Sequence, residues 1–175
     1  MLKTKIAVFV SGGGTNFEAL INAQENGKIP HGEIVLMVSS SKTAYALKRA
    51  ENHGIKSVVC SKKELGSQER FEEEILKNLE ENNIQLIVLA GFMSILSKEF
   101  TKKYENRIIN IHPSLIPSFC GEGFYGLHVH EAALKKGVKV TGATVHIVNE
   151  IPDGGPIIMQ RAVYVEENDT PETLQ

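Results

Sequence analysis

Two side chains in this sequence are of types and spacing that could act together on a carbonyl group. Asn110 and His112 flank Ile111 in the run Asn110-Ile111-His112-Pro113-Ser114-Leu115-Ile116-Pro117. The apolar pair Ile108-Ile109 leads in, and two prolines and a serine close the run, so it reads as a buried strand breaking into an ordered loop. Side chains alternate across a strand, which sends Asn110 and His112 to the same side. Open α/β sheets keep their chemistry at the carboxyl ends of strands. A third group, Asp153, lies on a polar loop spanning Asn149–Asp153. A carboxylate beside an imidazole fixes its tautomer and stabilises it when charged, and an asparagine donates hydrogen bonds without changing charge. Such a set suits a reaction that builds negative charge on a carbonyl oxygen, which means acyl or formyl transfer. No nucleophile adjoins the histidine: Ser114 lies beyond Pro113, and no G-x-S-x-G elbow occurs. Direct attack by a substrate amine is therefore preferred over a covalent acyl-enzyme.

A second candidate lies near the N-terminus. The apolar run Ile6–Val10 ends at Ser11-Gly12-Gly13-Gly14-Thr15-Asn16, after which Phe17, Leu20 and Ile21 fall at helical spacing. Strand, glycine turn and helix make a phosphate site, because glycines admit the anion to the backbone and the free N–H groups of the helix point at it. The dinucleotide fingerprint fails, since Phe17 stands where the third glycine belongs and Glu33 precedes the second strand. No Gly-Lys-Ser/Thr follows for a nucleotide P-loop. A simple phosphate monoester fits, held by backbone at Gly13 and Gly14 and by Thr15 and Asn16. A tight turn with a helix cap is the other reading.

The elements that must position these groups alternate. Strands are expected at Ile34–Val38, Lys56–Cys60, Gln85–Ala90, Arg107–Ile111, Val138–Val148 and Ile157–Val165. Helices are expected at Ala44–His53, Gln68–Asn82 behind a Ser67 cap, Ser97–Tyr104, and from Leu127 to Gly137. Phe71, Ile75, Leu76 and Leu79 form the buried stripe of the second of these, and Glu72-Glu73-Glu74 reads as its solvated face. The loop Gly91–Leu96 is unusually apolar, which suits either core packing or a wall for a flat ligand. Along Val138–Val148, Gly142, Thr144 and His146 share one face, and this strand should lie toward a sheet edge, antiparallel. Thr170-Pro171-Glu172 reads as a helix cap just before the sequence ends at Gln175. The whole is one α/β domain with a largely parallel sheet, its halves spanning about 1–100 and 101–175. Both candidate loops leave carboxyl ends of strands and should open onto the same sheet edge.

Bulk properties exclude several functions. The 175 residues are 42% apolar and 23% charged with a net charge of -2, so neither a nucleic acid nor a membrane is the expected partner. No apolar run reaches the ~20 residues that span a bilayer. The first residues lead straight into a strand without a signal region, and Cys60 and Cys120 read as reduced cytosolic thiols. His112, His128 and His130 could form a metal set, but no H-E-x-x-H or C-x-x-C accompanies them and no metal is expected. His31 and His53 read as surface residues, and His146 as a supporting residue.

Four segments in order and spacing, Ser11–Asn16, Ala90–Leu96, Asn110–Pro117 and Asp153–Pro156, resemble phosphoribosylglycinamide formyltransferases. The resemblance covers nearly the whole chain. It implies a single-domain Rossmann-like fold and formyl transfer from 10-formyltetrahydrofolate to glycinamide ribonucleotide in purine biosynthesis, in the cytoplasm, by a monomer or homodimer without metal. It also implies that Gly13, Gly14, Thr15 and Asn16 take the substrate phosphate and that Asn110, His112 and Asp153 are catalytic. The folate would be held by Gln68, Met93, Ser94, Ile95, Leu96, Asn110, Val148, Asn149, Glu150 and Asp153. Three departures stand out. Gln68 occupies a position where the family often has arginine, with Arg70 two residues on; Ser118–Tyr125 is longer than in short members; and the family continues past Gln175 through a helix bearing an acidic residue. Formyltetrahydrofolate hydrolases carry a second histidine and methionyl-tRNA formyltransferases a glycine where this chain has Pro113, and both have further domains. A non-catalytic phosphate-binding module is the remaining rival.

Overall fold

The computed structural model describes residues 2–175. Among the described residues seven strands and seven helices follow one another, with the strands in the order β3-β2-β1-β4-β5-β6-β7. The chain divides into two compact units, Met1–Ile108 and Ile109–Gln175.

In the first unit, β1 (Thr4–Val10), β2 (Gly32–Ser39), β3 (Lys56–Val59) and β4 (Leu86–Leu89) pair in parallel. Strands covered on both faces carry continuous apolar runs, and β1 is buried from Ile6 to Val10. Alternation distributes these side chains to two layers. Ile6, Val8 and Val10 pack with Phe17 and Ile21 of α1 (Thr15–Glu25) and with Ala46 and Ala50 of α2 (Ala46–Asn52). Phe9 instead meets Phe92 edge-on at 5.1 Å, and Phe92 stacks at 6.4 Å on Phe71 of α4 (Gln68–Glu81). Ser67 caps α4 by accepting from the Arg70 N–H, and Ser97 caps α5 (Lys98–Lys103) by accepting from Phe100. The single turn α3 (Lys62–Leu65) was not foreseen; it is polar and too short to show a period. Within the predicted α4 stripe, Phe71, Ile75 and Leu79 are buried and Leu76 is half-buried. One expectation fails. Of the three glutamates read as solvated, Glu72 is buried at 7% exposure.

In the second unit, β5 (Ile108–His112), β6 (Val140–Ile147) and β7 (Ile157–Tyr164) are antiparallel neighbours. The β5–β6 register sets Asn110 opposite His146 and His112 opposite Thr144. Close approach between β6 and β7 depends on Gly142, where a Cβ would lie 2.0 Å from the Arg161 carbonyl oxygen. All eight residues of β7 are exposed. Helix α6 (Leu127–Lys136) ends at Gly137 in a left-handed cap, as its sequence predicts. The Thr170 cap is made reciprocally with Thr173 and is followed by one turn, α7 (Pro171–Leu174).

Candidate active site

Asn110 and His112 leave β5 on the same side, as alternation requires, and Asp153 joins them from the turn after β6. Asp153 has φ +54°, a left-handed backbone that non-glycine residues seldom adopt, and it aims its carboxylate at four groups. Oδ2 accepts the Gly121 N–H at 2.9 Å and faces His112 Nδ1 at 3.4 Å. Oδ1 faces His146 Nε2 at 3.4 Å and Asn110 Nδ2 at 3.5 Å. The turn can approach β6 because residue 155 is glycine: a Cβ there would lie 1.9 Å from the Ile147 carbonyl oxygen. Burial pushes the Asp153 carboxyl up, but the hydrogen bonds from His146 and the Gly121 N–H, with the charge of His112, outweigh it and hold the carboxyl below its ordinary range.

Both imidazoles of the cluster are buried. His112 Nε2 lies 2.8 Å from the Phe119 carbonyl oxygen. With Asp153 on the other side, this ring is flanked by two acceptors, so a proton on either nitrogen finds a partner. His146 Nδ1 donates to the Ile147 carbonyl at 2.9 Å. Its Nε2 then accepts from Asn110 Nδ2, 3.1 Å away, when neutral, and donates to Asp153 when charged. Ser114 is no nucleophile: its hydroxyl donates to the Ser118 carbonyl at 2.5 Å and lies 3.3 Å from that of Phe119.

In the first unit the glycine turn leaves β1 as expected. Gly12, Gly13, Thr15 and Asn16 are exposed. Gly14 has φ +73°, and a Cβ there would lie 2.8 Å from the Ala46 Cβ, so only glycine fits. Arg49 Nε donates to the Gly13 carbonyl at 2.9 Å and its Nη1 pairs with Glu18 at 3.0 Å, bracing the turn from α2. Ser11 faces elsewhere. Its N–H donates to the Gly91 carbonyl at 3.0 Å, and its Oγ accepts the Met93 N–H at 2.8 Å and pairs with Ser40 at 2.6 Å.

The apolar loop divides its side chains between core and solvent. Leu96 is buried and Phe92 packs in the aromatic cluster, while Met93 and Ile95 are 54% and 70% exposed. Gln68 Nε2 donates to Glu72 and to the Ile95 carbonyl, so its amide is engaged within the protein.

Residues 4–175 match the family described as formyl transferase. The chain belongs to that family. It is 48% identical to the trifunctional purine biosynthetic protein adenosine-3 of Gallus gallus over 98% of its own length, and spans 17% of that relative. It is 39% identical to the phosphoribosylglycinamide formyltransferase of Bacillus subtilis, covering 98% of this chain and 85% of the relative. A crystal structure of phosphoribosylglycinamide formyltransferase from Bacillus halodurans superposes with a TM-score of 0.90 at 42% identity, covering 98% of this chain and 85% of that one.

In this member of the family, two features of the site carry no signal in the sequence. The long loop Ser118–Tyr125 supplies the Phe119 carbonyl and the Gly121 N–H, backbone groups that no residue type announces. Thr144 donates to the Ser114 carbonyl at 2.6 Å and accepts from the Ile116 N–H at 3.0 Å, fixing the loop after His112. The histidines weighed as metal ligands go separate ways. His128 is exposed and pairs with Glu131 at 3.0 Å, whereas His130 is buried with neither ring nitrogen hydrogen-bonded. Among the described residues no group of three or more His, Cys, Asp or Glu side chains could hold a metal ion. Cys60 and Cys120 are both free thiols, and burial pushes Cys60 up to about 11. Among the described residues no helix is long and apolar enough to cross a membrane.

Proposed function

We propose that the protein transfers the formyl group of 10-formyltetrahydrofolate to the amine of glycinamide ribonucleotide, a step of purine biosynthesis in the cytoplasm. The observation that carries this reading is the Asp153 carboxylate with Asn110, His112 and His146 gathered around it. Asn110 and His112 are hydrogen-bond donors held by a half-buried anion, the arrangement that lowers the energy of a carbonyl oxygen becoming an oxyanion. The substrate amine attacks the formyl carbon and forms the tetrahedral intermediate. The oxyanion takes the hydrogen bonds of Asn110 and of His112, whose Nε2 would turn to it from the Phe119 carbonyl. Asp153 stabilises the charged ring. The proton lost by the attacking amine passes through water to the departing folate nitrogen. No residue forms a covalent intermediate, in keeping with the engaged hydroxyl of Ser114.

The substrate's phosphate binds the exposed turn at Gly13, Gly14, Thr15 and Asn16. The reduced pterin lies on the backbone of Met93–Leu96 and of Val148–Asp153, including Asn149 and Glu150. Gln68 borders the folate through its stem, since its amide nitrogen is engaged. The protein works as a monomer or homodimer on these two small molecules.

The test supplies both substrates to the purified protein and follows formylglycinamide ribonucleotide by mass spectrometry. Product must form, and His112→Ala must lower its rate about 100-fold or more while ribonucleotide binding persists. Folate consumption without an amine acceptor would make the protein a hydrolase. Ribonucleotide binding with no turnover would make it a binding module.

A further inference from the structure

The one glutamate of the α4 charge run that leaves solvent is engaged at both oxygens. Glu72 Oε1 accepts the Ser97 N–H at 2.6 Å and a hydrogen of Gln68 Nε2 at 2.5 Å, and Oε2 accepts the Ser97 hydroxyl at 2.5 Å. Burying a carboxylate is strongly unfavourable unless its lone pairs are filled, and three donors fill them here. Gln68 then extends the network by donating to the Ile95 carbonyl at 3.0 Å. The neighbouring Glu73 is exposed and makes no such network.

This network holds the end of the segment Gly91–Ser97. Ser11 holds its beginning, through Gly91 and Met93. Between the two anchors the chain displays Met93 and Ile95 to solvent, at 54% and 70% exposure. Apolar side chains on an irregular loop gain nothing from such rigid presentation unless a ligand covers them, because ordering the backbone has an entropic cost that a contact must offset.

We propose that Glu72 is a positioning residue for the reduced-folate substrate: through Ser97 and Gln68 it fixes the backbone of Met93–Leu96 in the conformation that receives the pterin. This rests on the formyl-transfer reading above. Glu72 touches no substrate itself.

Glu72→Gln tests the inference with little change of shape. An amide has one acceptor oxygen where a carboxylate has two, so one of the three donors is left facing an NH2 group. The Michaelis constant for 10-formyltetrahydrofolate should rise about ten-fold, the worth of roughly one charged hydrogen bond. The Michaelis constant for the ribonucleotide and kcat at saturating folate should stay within about two-fold. Gln68→Met, which severs only the link to the Ile95 carbonyl and Glu72, should move the folate constant the same way by less. Glu73→Gln should move nothing. Tetrahydrofolate binding, measured by calorimetry, should weaken in parallel. Unchanged folate affinity in a folded Glu72→Gln protein overturns the inference and leaves formyl transfer standing. So does an equal loss in both substrates, which would mark a general structural role. A wild-type protein that neither binds tetrahydrofolate nor forms product overturns both.

Discussion

Replacing Asp153 with asparagine removes one charge from the cluster and almost no volume. The amide oxygen can retain the Gly121 N–H at the Oδ2 position, where it lies at 2.9 Å, and this turns the NH2 group toward His146 and Asn110. What is lost is the negative charge 3.4 Å from His112 Nδ1. At that separation and an effective dielectric of ~20, a unit charge pair is worth about 5 kcal/mol. Asp153 is 12% exposed, so water screens part of this, and roughly 3–4 kcal/mol remains for the charged ring that, in the proposed reaction, would support the oxyanion. Each 1.36 kcal/mol is about ten-fold in rate, which sets the expected loss in kcat/KM at about 100- to 1000-fold. The assay is steady-state formation of tetrahydrofolate, with circular dichroism and thermal melting to show that the variant is folded. Michaelis constants should change less than about three-fold, because the interaction grows with charge in the transition state. A folded Asp153→Asn enzyme within ten-fold of wild type would refute the electrostatic role. The acid limb of stability gives an independent check. The native Asp153 carboxyl is held below its ordinary range, so its stabilisation is complete above the unfolded value of about 4 and is lost as pH falls through the native value. Asp153→Asn should abolish that part of the acid dependence.

Two further predictions concern the supports of the site. Gly155→Ala would drive a Cβ to 1.9 Å from the Ile147 carbonyl oxygen, and neither backbone can retreat because the Ile147 N–H is bonded to the Pro156 carbonyl at 2.8 Å. It should cost about 3 kcal/mol and appear as a lowered Tm with loss of activity; an unchanged Tm would contradict the packing. His130 is buried with both ring nitrogens unpartnered, and burial, then the charge of His112, push its imidazole below the ordinary value. Below about pH 6.5 the unfolded chain therefore binds a proton that the native state refuses, and stability falls as pH falls. His130→Leu should raise the Tm, and more at pH 5.5 than at pH 7.5; parallel curves would contradict this.

Much of the fold is legible because buried parallel strands write themselves as apolar runs, so β1 and β4 were placed within two residues. The pairing of Asn110 with His112 was legible for the same reason, since strand alternation is a local rule. Glu72 was misread because its burial is set by Ser97, twenty-five residues away, and a charged triplet on a helix carries no mark of that. Gln68 was matched to a ligand contact by its position, yet its amide is engaged by Glu72 and the Ile95 carbonyl. The Phe119 and Gly121 backbone groups around His112 and Asp153 have no side-chain signature at all.

Ser11 joins the glycine turn to the apolar loop through one peptide group and one hydroxyl. With the phosphate on the turn and the folate on the loop, the two ligands would order opposite sides of the same residue. Whatever order the first ligand imposes is then already in place for the second, and by thermodynamic reciprocity each raises the other's affinity by one shared factor. Ser11→Ala, which removes the hydroxyl and leaves the peptide link, should bring that factor closer to unity: tetrahydrofolate would then strengthen ribonucleotide binding less than it does in the unaltered protein.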